Sequence, residues 1–359
     1  MVGIVFLLDI EYAPYIDKYI DILNEEKKEF EVIYWNRSNK KDNECCFKAH
    51  IYNKKSNLNK SKFSKIGDFL GYRKFVVKTI NERKYDKLII LTTLTGILLS
   101  DILIKNYQGK YIFDIRDYSF EKNKIFYLLE KKIISQSFIT TISSNGFKEF
   151  LPKTFNYVIS HNIIRREIEE AKDSVYKIYN KNEKINLTFI GSVRHLDLDI
   201  KFAQYISNDP RFNLTYHGDG PTYKEFFQYC SKNSMSVNLT GKYNRKDKKQ
   251  LLKDTNVINS YYDGRKYINK FAISNKLYDA LIYKIPILVS SGTYIGDFVN
   301  KNKIGITIDI EDIALTDKIY NQIQQIDSTY FNNKCEELLN EIIEEDNIFI
   351  KKVKEFINS

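Results

Sequence analysis

The chain is short of the side chains that metal and thiol chemistry require. Its four histidines, His50, His161, His195 and His217, have no ligand spacing, so no metal centre is expected. Of its four cysteines, Cys45 and Cys46 are adjacent while Cys230 and Cys335 are isolated. That pattern excludes a disulfide framework and fits the reducing cytosol. Glycine is scarce, and no G-x-G-x-x-G occurs, which disfavours a nicotinamide enzyme; a Walker loop, a G-x-S-x-G elbow and a zinc motif are missing as well. Long apolar runs are also lacking. The opening MVGIVFLLDI is too short for a signal peptide and has neither a basic flank nor a small-residue cleavage site. The most apolar window, residues 88–104, is broken by four Ser/Thr and by Asp101, so no membrane span is predicted.

What the sequence does hold is ample material for globular cores. Hydrophobic content of 43% and aromatic content of 14% over 359 residues predict two domains. The formal charge of +10 is unevenly placed. Residues 1–160 carry 27 Lys/Arg against 19 Asp/Glu, and residues 161–359 carry 29 against 27. The excess is densest from Lys40 to Lys65, where eight lysines accompany two acids. Such a stretch suits an anionic membrane or another polyanion, and equally a solvated loop.

Strand and helix patterns alternate throughout. Strands are predicted at 2–8, 30–34, 87–91, 111–114, 138–142 and 157–159, with helices over 15–27, 63–82, 95–106, 123–135 and 144–150. The second half repeats the order, with strands at 186–190, 213–217, 237–239, 257–259, 285–289 and 305–308. This is the signature of parallel βαβ units. The fold class is therefore α/β, with two Rossmann-like doubly wound domains facing a cleft. Residues 1–160 form the first domain, 161–184 a charged linker and 185–335 the second domain. Helical patterning from about Asp317 ends in a helix over 336–359, expected to pack back toward the first domain.

The candidate chemistry sits at strand ends. Gly191-Ser192-Val193-Arg194 follows one strand: the glycine lets a diphosphate approach the backbone, Ser192 offers a hydroxyl, and Arg194 can pair with phosphate bidentately. An ordinary turn with a surface arginine is the plainer account. His217-Gly218-Asp219-Gly220-Pro221 and Thr240-Gly241-Lys242 end two more strands, and Tyr262 follows another. The segment 274–299 opens with Ser274-Asn275-Lys276 at a helix start, carries Asp279 on that helix, and then turns through Lys284-Ile285-Pro286 into an apolar strand. A carboxylate, a cation and small polar groups at such a place suit a phosphorylated, hydroxyl-rich ligand. In the first half, Asp114-Ile115-Arg116-Asp117 closes a strand. That element is either a buried ion pair or a binder of hydroxyls.

On these residues the chain resembles the GT-B-fold glycosyltransferases, in the retaining family 4-like group that includes bacterial capsule, O-antigen and exopolysaccharide enzymes. Gly191 to Arg194 match the family's Gly-x-x-Arg, Gly218 to Pro221 its Gly-x-Gly-Pro loop, and Thr240-Gly241 its strand-end pair. Asp114 to Asp117 resemble its D-x-R-D element. The resemblance implies donor contacts from Gly191, Ser192, Arg194, Gly218, Gly220, Thr240, Gly241, Ser274, Asn275, Lys276, Leu277 and Asp279, the last gripping the ribose. It implies catalytic roles for Arg194, Lys276 and Asp117, and acceptor contacts from Glu11, Asp114, Arg116 and Asp117. The family's paired glutamates would fall at Phe271 and Asp279, so the first is absent and the second shortened by a methylene, and the lysine that follows its phosphate-binding arginine has no clean equivalent, Lys201 being the nearest.

The implied activity is transfer of a sugar from a nucleotide-diphosphate donor to a hydroxyl of a lipid-linked saccharide. It implies retention of configuration, no metal and no cofactor, and no nucleic-acid partner. The expected location is the cytoplasm, peripheral at the inner face of the membrane, with an anionic membrane surface as a partner. Two rivals are a nucleotide-sugar 2-epimerase of the same fold, disfavoured by the few histidines, and a non-catalytic polyanion binder, which leaves the strand-end motifs idle.

Overall fold

The structure, a computed structural model, describes residues 1–38, 47–56, 62–176, 179 and 183–359, the side chains of 62–65 excepted. It divides into two compact units, residues 1–161 with 344–359, and residues 162–343. In the first unit the order is β1 (Val2–Phe6), α1 (Ile16–Glu25), β2 (Phe30–Asn36), β3 (Ala49–Asn53), α2 (Lys62–Arg83), β4 (Lys87–Leu91), α3 (Thr93–Leu98), α4 (Ser100–Asn106), β5 (Tyr111–Ile115), α5 (Lys124–Gln136), β6 (Ile139–Ile142) and β7 (Tyr157–Ile159). All are parallel in one sheet ordered β3-β2-β1-β4-β5-β6-β7. Strands such as VGIVF in β1 and YIFDI in β5 are buried along their whole length, as parallel strands covered on both faces must be.

The second unit continues with α6 (Arg165–Glu170), β8 (Ile185–Ile190), α7 (Leu196–Ser207), β9 (Phe212–His217), α8 (Tyr223–Lys232), β10 (Val237–Gly241), α9 (Lys248–Leu251), β11 (Val257–Asn259), α10 (Tyr267–Lys270), α11 (Asn275–Tyr283), β12 (Ile287–Ser290), α12 (Tyr294–Asn302), β13 (Gly305–Ile308), α13 (Leu315–Gln324) and α14 (Ser328–Asn358). Its parallel sheet has the order β10-β9-β8-β11-β12-β13. Successive strand residues enter different cores: Phe189 and Leu288 join one apolar cluster, Ile190, Ile287 and Val289 the other. That alternation marks a sheet with apolar cover on both faces.

Several elements depart from the sequence reading. Strand β3, AHIYN, was not expected; its half-buried, polar residues give little strand signal beside the lysine-rich stretch. The helix predicted over 95–106 is two, broken at Leu99, whose ψ of 11° leaves the helical range. The strand expected to begin at Ile285 begins at Ile287, because Lys284 caps α11 in the left-handed region and Pro286 has no N–H to offer a neighbour. Residues 162–184 belong to the second unit, where Ala171 and Tyr176 enter its core. Helix α14 contributes Phe331, Cys335 and Leu338 to the second unit's core, and Phe349, Val353 and Phe356 to the first. Within the stretch 40–65, residues 40–46, with Cys45 and Cys46, and 57–61 lie outside the described residues. Of its lysines, Lys48 pairs with Glu31 and Lys54 with Asp68.

Candidate functional site

In the second sheet the strand order reverses between β8 and β11, and ligands in open α/β sheets bind outside the carboxyl ends at such a switch point. Here β8 runs into Gly191 and β11 into Tyr262. Gly191 has φ of +135° and Gly218 has φ of +150°, both positions that only glycine takes without strain. The two loops are laced together: Gly191 N–H donates to His217 O at 2.9 Å, Val193 N–H to Asp219 O at 3.1 Å, and Gly218 N–H to Gly241 O at 2.8 Å. A Cβ on Gly218 would stand 1.7 Å from Gly191 O, and one on Gly220 would stand 2.2 Å from Val193 O. The sequence therefore needs glycine at both places to keep this floor flat.

Lys276 lies above that floor. It opens α11, whose N-terminus is capped by Ser274 Oγ accepting from Lys276 N–H at 3.3 Å. Its side chain is buried, yet it has no carboxylate partner among the described residues. Instead, Nζ donates to Tyr262 Oη at 2.7 Å and sits 4.2 Å from the centre of the Phe189 ring. A Cβ on Gly191 would come within 3.6 Å of the same Nζ. Burial alone would raise the Tyr262 phenol, but Lys276, then a hydrogen bond with Ser274, then Arg194 together outweigh it and hold the phenol below its ordinary value. His195, edge-on to Tyr262 at 5.6 Å, is pushed down by burial and by Lys266, Arg194 and Lys276. Arg194 is exposed and makes no hydrogen bond or ion pair among the described residues. Two cations thus act on Tyr262 and His195 beside the glycine loops, and neither pairs with a carboxylate among the described residues, an arrangement that favours a polyanion.

Around this centre stand two further groups. His217 Nδ1 and Thr240 Oγ1 are 2.9 Å apart, and burial lowers the imidazole, which keeps it neutral near pH 7. Asp279, one turn along α11 from Lys276, accepts from Lys248 Nζ at 2.8 Å through Oδ1. Lys248 also contacts Glu167, which pairs in turn with Arg245 at 2.8 Å. Burial raises the Asp279 carboxyl, and Lys248 offsets this only in part. Its Oδ2 makes no hydrogen bond among the described residues.

No family model matches the sequence, and no curated protein does. Among solved structures, the chain is similar to the lipopolysaccharide outer core galactosyltransferase WaaB in its apo form, with 14% identity, 99% of each chain covered and a TM-score of 0.61. It is similar to sucrose-phosphate synthase from Thermosynechococcus elongatus, with 10% identity, 100% and 94% covered and a TM-score of 0.65. It is also similar to Anabaena HepE in complex with UDP-glucose, at 11% identity, 94% and 99% covered and a TM-score of 0.55. The fold is GT-B.

Within the GT-B chain, the remaining expected residues divide. Leu277 is 1% exposed and belongs to the core, so its side chain cannot touch a donor. Asn275 is exposed and accepts from Asn162 at 3.0 Å. Lys201 pairs with Glu311 at 2.6 Å on the surface. Phe271 is buried edge-on to Tyr267, in the place where an acid was expected. In the first unit, Asp114 and Arg116 form the buried ion pair: Nη2 donates to Oδ2 at 2.7 Å and to Ser160 Oγ at 2.7 Å, Tyr19 Oη donates to the same Oδ2, and the guanidinium stacks on Tyr15. Asp114 has no exposed surface, which corrects its expected contact with an acceptor. Arg116 is 7% exposed and likewise serves the ion pair. Asp117 and Glu11 are exposed. Sequence reasoning missed Phe189, Lys248 and Glu167, because a core aromatic and two scattered charges carry no motif.

Proposed function

We propose that this protein is a glycosyltransferase that uses a nucleotide-diphosphate sugar. The observation that carries the reading is the pair of cations, Lys276 and Arg194, over the glycine floor at the second sheet's switch point. A diphosphate laid along Gly191 would lie on a glycine backbone that lets it approach closely, with Arg194, Lys276 and the Ser192 hydroxyl as its polar neighbours. Charge grows on the departing diphosphate as the glycosidic bond breaks. Groups already aimed at that charge lower the barrier, because they need no reorganisation when the reaction occurs. The free Oδ2 of Asp279 is assigned to the ribose hydroxyls, with Lys248 fixing the carboxylate. Gly218, Gly220, Thr240 and Gly241 shape the wall nearest the base.

Similarity to HepE, crystallised with UDP-glucose, supports a uridine nucleotide sugar as the donor. Similarity to a lipopolysaccharide galactosyltransferase supports a lipid-linked saccharide as the acceptor, met by Asp117 and Glu11 in a cell-surface polysaccharide pathway. We assign retention of configuration to the transfer, no metal or other cofactor, and a site of action at the cytoplasmic face of the membrane, where the protein binds peripherally. Among the described residues no helix is long and apolar enough to cross a membrane.

Calorimetry with UDP tests the reading. Binding is expected in the micromolar range and weakened at least tenfold, about 1.4 kcal/mol, by Arg194→Ala. Transfer from a labelled UDP-sugar is expected to survive EDTA unchanged. Undiminished UDP binding in Arg194→Ala, or no binding in the native protein, would refute the diphosphate assignment.

A further inference from the structure

The first unit carries an exposed apolar surface that the transfer chemistry leaves unused. Helix α5 begins where Asn123 Oδ1 accepts from Ile125 N–H at 3.0 Å and from Phe126 N–H at 3.2 Å. It packs against α3 and α4, and turns Glu130, Ile133 and Ile134 inward. Its other face meets solvent. Lys124, Ile125, Leu128, Lys131 and Lys132 are all exposed, and spacings of three, four and seven residues set them on one side of the helix. Ile125 is 78% exposed and Leu128 63%. Phe120, just ahead of the helix, is 60% exposed and lies edge-on to Phe126 at 5.7 Å. Single exposed apolar side chains are ordinary, but three within nine residues of one segment mark an interaction surface. A groove bounded by Glu121, Lys124, Tyr127 and Leu128 opens on the same segment.

The charge on this segment selects the partner. Residues 118–136 hold four lysines, Lys122, Lys124, Lys131 and Lys132, no arginine, and two acids, Glu121 and Glu130. All four lysines are exposed, whereas Glu121 is 7% exposed and Glu130 0%. Burial also pushes the Glu130 carboxyl up to about 9, leaving it uncharged at pH 7, and raises Glu121. The solvent face of the segment is thus cationic and apolar; the nearest exposed acid along the chain is Asp117. A protein partner fits that mixture poorly, since lysine is depleted and arginine enriched where two proteins meet. A bare polyanion would use the lysines and leave Ile125 and Leu128 in water. An anionic bilayer uses both: apolar side chains enter the acyl boundary, while lysine stems run beside them and carry their ammonium groups to the headgroups.

We propose that the outer face of α5 docks this protein on an anionic phospholipid membrane, with Phe120, Ile125 and Leu128 entering the bilayer and Lys124, Lys131 and Lys132 meeting its phosphate headgroups. The proposal rests on the peripheral-binding part of the functional reading and names the surface responsible. The full-length protein is sedimented with vesicles of phosphatidylcholine containing phosphatidylglycerol. Ile125→Ser with Leu128→Ser is expected to weaken binding about tenfold or more, and Lys131→Gln with Lys132→Gln about tenfold, with a shallower dependence on salt. Both pairs are exposed, so melting temperature and UDP binding on the same samples are expected to be unchanged. Ile125→Trp gives a second readout, because Trp35 is the only native tryptophan and is fully buried. On vesicles the emission added by Ile125→Trp is expected to shift to the blue and to be quenched by brominated acyl chains. Undiminished binding in either double variant, or unshifted and unquenched emission from bound Ile125→Trp, overturns the assignment to α5 and leaves peripheral binding to another surface. If the native protein binds no anionic vesicles, the α5 surface and peripheral binding fail together, while UDP binding still upholds the donor reading. If vesicles are bound through α5 but UDP is not bound, the donor reading fails and the surface stands.

Discussion

Lys276 pairs with no carboxylate among the described residues. Its ammonium has left bulk water for an aromatic ring and a phenol oxygen, contacts worth about 0.5–2 kcal/mol for the cation–π part. Such a charge gains more from an arriving phosphate than a solvated lysine does, since its desolvation is already complete. Lys276→Met is therefore expected to weaken UDP binding more than tenfold, and Tyr262→Phe, which leaves the ammonium in place, to weaken it less. Titration calorimetry on the two variants checks the order. Glu130 gives a second prediction at this scale. Its carboxyl is raised from 4.5 to about 9, so the folded protein holds a proton that the unfolded chain releases across that range. Stability then falls as pH rises from 4.5 toward 9. Glu130→Gln cannot ionise, and melting temperatures at pH 5, 7 and 9 are expected to show a flatter profile in the variant than in the native protein.

Among the elements, the two glycine loops and the α9–α11 clamp carry the site. Gly218→Ala places a methyl group onto a carbonyl at a backbone angle alanine resists, and is expected to cost roughly 2–4 kcal/mol in chemical denaturation and to abolish UDP binding. Lys248→Met strands Asp279 beside Glu167 without its cation; removing one member of a buried pair costs about 3–5 kcal/mol, and adding Asp279→Asn is expected to recover part of it. Much of this was legible in the sequence. The strands Lys87–Leu91, Tyr157–Ile159 and Gly305–Ile308 were predicted with the bounds they have, because continuous apolar runs between turn residues have few other uses. Gly191, Gly218 and Lys276 were legible because the fold constrains their positions along the chain. Phe189, Lys248 and Glu167 were not, since they meet their partners only after distant segments pack. Asp114 and Arg116 were legible as a buried ion pair, but the sequence left a hydroxyl-binding role open beside it, since i, i+2 spacing at a strand's end fits an interior or a site equally well.

For the whole molecule, charge is the quantity with a measurable consequence. A net +10, with 8 of that surplus in residues 1–160, predicts binding to anionic phospholipid vesicles that weakens steeply between 50 and 300 mM salt. Neutral vesicles are expected to bind far less, and sedimentation with the two lipid compositions measures both. Salt-independent binding would assign the association to apolar contacts instead.

The long helix α14 has a bearing on how the protein is made. Residues 344–359 supply Phe349, Val353 and Phe356 to a core otherwise built from the first 161 residues. On the ribosome, that core waits while residues 162–343 are synthesised, on the order of ten to forty seconds at typical elongation rates. The unit translated first is thus the one finished last. During that interval Tyr19, which packs against Phe349, and Phe138, which packs against Phe356, lack their cover, and a chaperone or a premature stop has its greatest effect there.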